Sequence, residues 1–151
     1  MNKPFAARIA AMNASLAALD PVERKVMESH VQKGADMVSS ILGDFGLNHL
    51  PDAAIMRNIV YSHHEFLDGS GYPNHLQGDA VPLEARIVTV ADIFDALTSP
   101  RPYKAAWPVE KACEELVLMV FAGKLDRDCV EAIERHATEM HEISKRYRDA
   151  A

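Results

Sequence analysis

The apolar residues of this chain recur every three or four positions over most of its length, which is the spacing of an amphipathic helix. One such stripe contains Val22, Val26, Gly34 and Val38, and His30 lies in the same register. The pattern therefore predicts an all-helical protein. The predicted helices cover roughly residues 5–18, 21–42, 52–64, 83–98, 108–123 and a last segment from 126 onward.

Local signals mark several of the predicted helix ends. Asp20 precedes Pro21, as expected for an N-cap followed by proline at the first helical position. Gly123 is typical of the residue that follows a helix, and Asp126 is typical of an N-cap. These signals support the boundaries of the second and the last two helices.

Residues 65–82 interrupt the helical pattern with glycines, prolines and no sustained periodicity. Long irregular stretches inside a compact domain are usually functional, so we expect a long ordered loop. In it, Tyr72 would either offer a stacking surface to a purine or simply cover the core. A turn signature lies in this loop and consists of Asp68, Gly69, Gly71, Tyr72 and Pro73.

Length and composition indicate one ordinary soluble domain spanning residues 1–151. The chain has 48% hydrophobic residues, 25% charged residues and a net charge of −6, which argues against a basic DNA-binding face. The longest apolar run, residues 116–122, is far shorter than the roughly 20 residues of a membrane span. Cys113 and Cys129 lack metal-motif spacing, and we expect reduced thiols and a cytoplasmic location.

Three histidines are candidate metal ligands. His30 lies on the apolar stripe of its helix, where a core histidine with backbone partners is the alternative interpretation. His63 and His64 are adjacent, so in a regular helix their side chains would point about 100° apart. They could serve two neighbouring ions, one ion if the helix ends there, or only the helix dipole.

Asp92 is the candidate carboxylate ligand. It lies in a strongly apolar helical segment, residues 87–94, and we expect it to lose solvent on at least one side. A buried carboxylate needs a cation or hydrogen-bond donors. A metal with imidazole ligands would satisfy Asp92, and so would a hydrogen bond inside the helix.

Arg101 and Lys104 flank a short turn containing Pro102. Arginine binds phosphate through two parallel hydrogen bonds, and lysine acts as a point charge. The two cations therefore form either a phosphate contact or an ordinary exposed basic loop.

In their order and spacing these residues resemble the HD-GYP family, whose members hydrolyse cyclic di-GMP at a multi-metal site. The resemblance is strongest over residues 20–135. The segments that match the family are His30-Val31-x-x-Gly34, His63-His64-Glu65, Asp68-Gly69-x-Gly71-Tyr72-Pro73, Ala91-Asp92 and Arg101-Pro102-Tyr103-Lys104.

The resemblance implies an HD-domain-like helical bundle with a long ordered GYP loop. It also implies iron or manganese at the metal site, cyclic di-GMP as the ligand and pGpG or GMP as the product. The implied metal ligands are His30, His63, His64 and Asp92. The implied nucleotide contacts are Tyr72, Arg101 and Lys104.

The histidine-aspartate dyad of the family does not occur in this sequence, and we expect an N-terminally truncated bundle. Three interpretations stay open, so enzymatic activity is undecided at this stage. The chain is part of an active phosphodiesterase, or a degenerate domain that binds a nucleotide or a GGDEF-type cyclase, or a helical scaffold for protein interactions. Uncovered core surface would favour a homodimer.

Overall fold

The computed structural model describes residues 21–100 and 105–148. The five α-helices within them are α1 (Pro21–Asp44), α2 (Pro51–Ser62), α3 (Leu83–Thr98), α4 (Val109–Phe121) and α5 (Arg127–Arg148). A short 3₁₀ helix spans Gly78–Ala80. No strand occurs in these residues, apart from an isolated bridge between Asp68 and Gln77. The all-helical prediction is therefore confirmed, while the helix predicted over residues 5–18 lies outside the described residues.

Helix α3 is the centre of the described bundle, since it contacts α2, α4 and α5. Its residues Val90, Phe94 and Leu97 are at most 2% exposed and lie in the main hydrophobic core. Leu116 of α4 and Val130 of α5 belong to the same core. The bundle therefore buries its apolar residues mostly around the second half of α3.

Among the described helices, the hairpin of α1 and α2 packs on α3 mainly through α2. Inside the hairpin, Val31, Ala35 and Leu42 of α1 and Ala53 of α2 are buried. Several large apolar side chains remain exposed on it: Val22, Val26, Met37, Ile41, Ile55 and Met56. The hairpin thus carries one buried face and a considerable uncovered apolar surface.

The predicted helix ends are largely confirmed. Gly123 follows α4 with a φ of 76°, a conformation that glycine adopts at little cost. Asp126 Oδ1 accepts hydrogen bonds from the backbone amides of Asp128 (2.9 Å) and Cys129 (3.3 Å), as an N-cap does. The helix ends shift by about two residues in three places: α1 ends at Asp44, α2 ends at Ser62 and not at His64, and α4 ends at Phe121.

None of the described helices is both long enough and apolar enough to cross a membrane.

Candidate metal centre

Three imidazole rings converge where α1 passes the end of α2. One nitrogen from each of His30, His63 and His64 lies within 4.8 Å of the other two. His30 Nε2 and His64 Nε2 are 3.1 Å apart. The three histidines predicted as ligands are therefore brought together from two elements that lie 33 or more positions apart in the chain.

The early end of α2 is what lets both neighbouring histidines face the same point. His63 is the C-cap residue, with φ −68° and ψ −6°, and His64 already lies beyond the helix. The two ring centroids are 4.0 Å apart. Of the arrangements open from the sequence, the structure has the one in which the helix ends and both rings approach one place.

Hydrogen bonding assigns the tautomer of His63. Its Nδ1 lies 3.0 Å from the carbonyl oxygen of Ile59 and 3.2 Å from that of Val60. Carbonyl oxygens only accept, so Nδ1 must carry the proton. The lone pair is then on Nε2. Metal-binding histidines commonly donate their other N–H to a carbonyl in this way.

His64 is electrostatically suited to remain neutral. Burial of the ring, followed by electrostatic repulsion from the neighbouring imidazoles of His63 and His30, lowers the pKa of His64 to about 4. A neutral imidazole is the form that binds a metal ion. At neutral pH this ring therefore has a lone pair available without first releasing a proton.

Asp92 is exposed, so the expectation that it loses solvent is wrong for the structure described. It also lies outside the group of three imidazoles. The reason is its position along α3. Thr89, one turn earlier, is buried and its hydroxyl donates to the carbonyl of His63 (2.8 Å). Asp92 lies beyond this contact, where the described helices leave α3 uncovered.

The GYP loop brings Tyr72 directly against the histidines. The Tyr72 ring stacks on the His64 ring, with centroids 4.7 Å apart and planes 27° apart. The Tyr72 amide donates to the His64 carbonyl at 3.1 Å. Tyr72 is half-buried, so the structure links the predicted stacking residue to a predicted metal ligand.

Gly71 permits this close approach. A Cβ at Gly71 would lie 2.5 Å from His64 O and 2.5 Å from the Cα of Glu65, and it would also clash with the amide nitrogen of Phe66. Gly69 has a φ of 79°, and Asp68 Oδ1 accepts a hydrogen bond from the Ser70 amide at 2.9 Å. The turn signature read from the sequence thus has specific conformational causes.

Glu65 is the functional candidate that sequence reasoning missed. It appeared only as part of the His63-His64-Glu65 motif, with no role assigned. In the structure it is 2% exposed, and its carboxylate accepts hydrogen bonds from the amides of Asn74 and Leu76. Its one sequence signal was a charged residue placed between a histidine pair and a glycine turn.

Arg101 and Lys104 lie outside the described residues. Cys113 and Cys129 are free, half-buried thiols. Burial, followed by the charge of Asp126, raises the pKa of Cys129 to about 11, which disfavours the reactive thiolate.

The donor set fits a divalent transition metal. Imidazole nitrogens are typical ligands of iron, zinc, copper and nickel rather than of magnesium or calcium. A metal–nitrogen bond is about 2.0–2.1 Å long, as for zinc. The 3.1 Å between His30 Nε2 and His64 Nε2 is therefore close to the separation of two ligands of one ion.

Comparison with protein families decides the relationship. The sequence profile described as HD domain matches residues 7–129. The chain belongs to the HD-domain family. This membership, together with the relatives below, confirms the resemblance that the HD-GYP motifs indicated.

The curated relatives are enzymes of cyclic-dinucleotide metabolism. The cyclic di-GMP phosphodiesterase response regulator RpfG of Xanthomonas campestris is 40% identical over 130 residues, 85% of this chain and 32% of the relative. A cyclic di-GMP phosphodiesterase of Thermotoga maritima is 35% identical over 132 residues, 87% of this chain and 33% of the relative. The 3′3′-cGAMP-specific phosphodiesterase 2 of Vibrio cholerae is 41% identical over 99 residues, 66% of this chain and 18% of the relative. The chain thus spans a third or less of the length of these relatives.

Proposed function

We propose that this chain binds a divalent transition metal, iron or manganese, and a cyclic dinucleotide, and that it acts in cyclic-dinucleotide signalling by binding or regulation. The observation that carries the proposal is the group of three imidazoles within 4.8 Å, with the Tyr72 ring stacked on one of them. A metal site and an aromatic surface for a base therefore lie side by side.

In this proposal His30, His63 and His64 hold the ion. Asp92 is the proposed fourth ligand on the strength of the family resemblance, although it lies on an exposed part of α3 outside the group of three imidazoles. When bound, such an ion polarises a phosphate oxygen and activates water. The chain itself supplies a neutral imidazole at His64 and holds the Nδ1 proton of His63 against backbone carbonyls, which leaves Nε2 of His63 for the ion.

For the nucleotide, Tyr72 offers the edge and face of a half-buried ring, and base–aromatic stacking contributes roughly 1–3 kcal/mol per base. Arg101 and Lys104 are the proposed phosphate contacts, since the chain as a whole has a net charge of −6. Specific local cations are needed because no global field attracts the phosphates.

Hydrolysis of cyclic di-GMP to pGpG or GMP is the second candidate function. The names of the relatives favour it, since they are phosphodiesterases. The donor group described here contains no carboxylate that could bridge two ions. This favours binding over hydrolysis by the described residues.

We propose that residues 1–151 form one domain. A GGDEF-type cyclase and a second copy of the chain are its proposed protein partners. Uncovered apolar side chains support self-association, among them Met37 and Ile41 of α1 and Ile55 and Met56 of α2.

Elemental analysis of the purified chain, followed by titration with manganese, tests the metal site. We expect about one ion or more per chain and a loss of affinity of at least about 100-fold in His64→Ala, because a direct ligand matters more than its outer-shell support. His49→Ala is the matched control, since His49 is exposed in the connection between α1 and α2. Equal affinities in both variants would refute the site.

Two further measurements separate the candidate functions. Binding of cyclic di-GMP to the metal-loaded chain should raise its melting temperature, since a ligand that binds only the folded state stabilises it. Turnover of a generic bis-aryl phosphodiester, lost in His64→Ala and kept in His49→Ala, would establish hydrolysis. If the chain bound metal but showed neither a higher melting temperature with cyclic di-GMP nor turnover, the nucleotide part of the proposal would be refuted.

A further inference from the structure

We infer that Glu65 is a positioning residue, whose buried carboxylate holds the GYP loop so that the Tyr72 ring lies on His64. The inference deepens the proposed function and rests on it for the identity of the ligand. Its structural content concerns only residues of this chain. It assigns a role to a side chain that contacts neither the metal site nor the nucleotide surface directly.

The carboxylate of Glu65 makes two hydrogen bonds to one short stretch of backbone. Oε1 accepts from the Asn74 amide at 2.6 Å and Oε2 accepts from the Leu76 amide at 3.1 Å. Both oxygens are therefore used by the segment that directly follows Tyr72 and Pro73. Since Glu65 is only 2% exposed, water cannot readily replace these bonds.

The other side of Tyr72 is attached to the same short stretch of chain. The Tyr72 amide donates to the carbonyl of His64, the residue before Glu65. Gly71 also lies against the backbone of residues 64–66. Tyr72 is thus held on its N-terminal side by the His64 backbone and on its C-terminal side by the Glu65 side chain. The ring stacking of Tyr72 on His64 follows from these two attachments.

The chemistry of the carboxylate explains why glutamate suits this position. Two backbone N–H groups point at one side chain, and an ionised carboxylate offers two acceptor oxygens and no donor. A glutamine of the same length has one acceptor oxygen and an amide group that would face an N–H donor. Glu65→Gln should therefore break one of the two bonds while nearly conserving the volume.

The test compares Glu65→Gln with Glu115→Gln in the full chain. Glu115, on α4, is equally buried at 2% exposure, and its Oε1 has no hydrogen-bond partner. The readout is the proton chemical shift of the His64 ring without metal, because a stacked Tyr72 ring shifts it. Tyr72→Leu gives the value without stacking. We expect Glu65→Gln to move the shift most of the way to that value and Glu115→Gln to leave it unchanged.

The ligand readouts follow on the manganese-loaded protein. Glu65→Gln should weaken cyclic di-GMP binding about tenfold, as Tyr72→Leu does, since stacking on one base is lost. Manganese affinity should change less than about threefold, because the three imidazoles are retained. Glu65→Asp, which keeps both acceptor oxygens on a shorter side chain, should recover part of the loss.

The outcomes separate this inference from the proposed function. If wild-type protein binds no cyclic di-GMP, the proposed function fails, while the ring shift still decides the role of Glu65. An unchanged His64 shift in Glu65→Gln overturns the inference, whatever the ligand does. If Glu65→Gln does not fold, hydrogen exchange on the wild-type chain decides. Slow exchange of the Asn74 and Leu76 amides supports their hydrogen bonds to Glu65 and so the inference. Exchange of these amides at unprotected rates overturns the inference.

Discussion

The loop of residues 65–82 and the α1–α2 hairpin before it are held in different ways. The loop has almost no regular secondary structure, yet three charged side chains hold it: Glu65 from within the loop, and Lys124 and Arg86 from the bundle. Glu65 binds two of its amides, Lys124 donates to Ser70 (2.7 Å), and Arg86 donates to the carbonyl of Val81 (2.8 Å). The hairpin is helical apart from its connection, residues 45–50. It packs mainly through small and branched apolar residues and leaves several large apolar side chains exposed.

The candidate metal centre lies across these two regions. Tyr72 belongs to the loop and His30 to α1, while His63 and His64 lie where α2 ends and the loop begins. The main packing partner of α1 among the described helices is α2. We therefore expect α1 to be held less firmly than the loop.

The largest expected difference between the two regions is in the unfolding free energy when one glycine of each region is replaced by alanine. Gly71→Ala should destabilise the fold by about 3 kcal/mol or more, because the Cβ would lie 2.5 Å from backbone atoms that cannot move aside. Gly43→Ala is the matched control near the end of α1, where the nearest atom, Asn48 Nδ2, is 3.9 Å away. It should be neutral or stabilising by about 0.5–1 kcal/mol. Urea unfolding measures both, and similar values would remove the contrast.

Metal binding should reduce the difference between the regions, because it joins α1 to the end of α2. At a free manganese concentration 100 times the dissociation constant, the expected gain in unfolding free energy is about 2.7 kcal/mol. Amide exchange around His30 should slow more than exchange around Gly71. His30→Ala should lose most of the gain, while His49→Ala keeps it. If manganese slowed amide exchange equally throughout the chain, the expectation that the metal fixes α1 in particular would be wrong.

Substitution of Arg86 tests how much the polar contacts around the loop contribute to stability. Its guanidinium donates to Asp126 Oδ2 at 3.0 Å, and the two side chains are only 18% and 16% exposed. Arg86→Ala should cost about 2 kcal/mol, since a charged hydrogen bond is lost and Asp126 keeps its charge. The control is Asp79→Asn, because Asp79 is fully exposed and such pairs contribute little. A loss below about 0.5 kcal/mol for Arg86→Ala would mean that packing alone holds the loop.

The smallest expected effect is the pH dependence of the same ion pair. Burial opposes ionisation of Asp126, but hydrogen bonds from Arg86 and from two backbone amides lower its pKa below the usual 3.8. The resulting stability is complete above the unfolded-state pKa and is lost as the pH falls through the lower folded-state value. We expect a loss of at most about 1 kcal/mol below pH ~4. Asp126→Asn should remove this part of the pH profile, measured by urea unfolding, and an unchanged profile would contradict the assignment.

Much of the helical fold was predictable from the sequence because periodic apolar residues and capping residues act locally. The span predicted for α3 agrees with the observed Leu83–Thr98. The meeting of His30 with His63 and His64 was predictable only through family resemblance, since the contact between α1 and α2 is a tertiary one. The burial expected for Asp92 was wrong, because the apolar neighbours in its segment are buried on other sides of α3. The role of Glu65 depends on the path of a loop, which residue patterns do not specify.

The end of α2 at Ser62 has a consequence for nuclearity, the number of ions that a histidine pair can serve. One more helical turn would splay the two rings and direct each toward its own ion. Ending at Ser62 lets both rings meet His30 at a single point. In this chain, the position of the helix end therefore favours one ion shared by the three imidazoles over two separate ions.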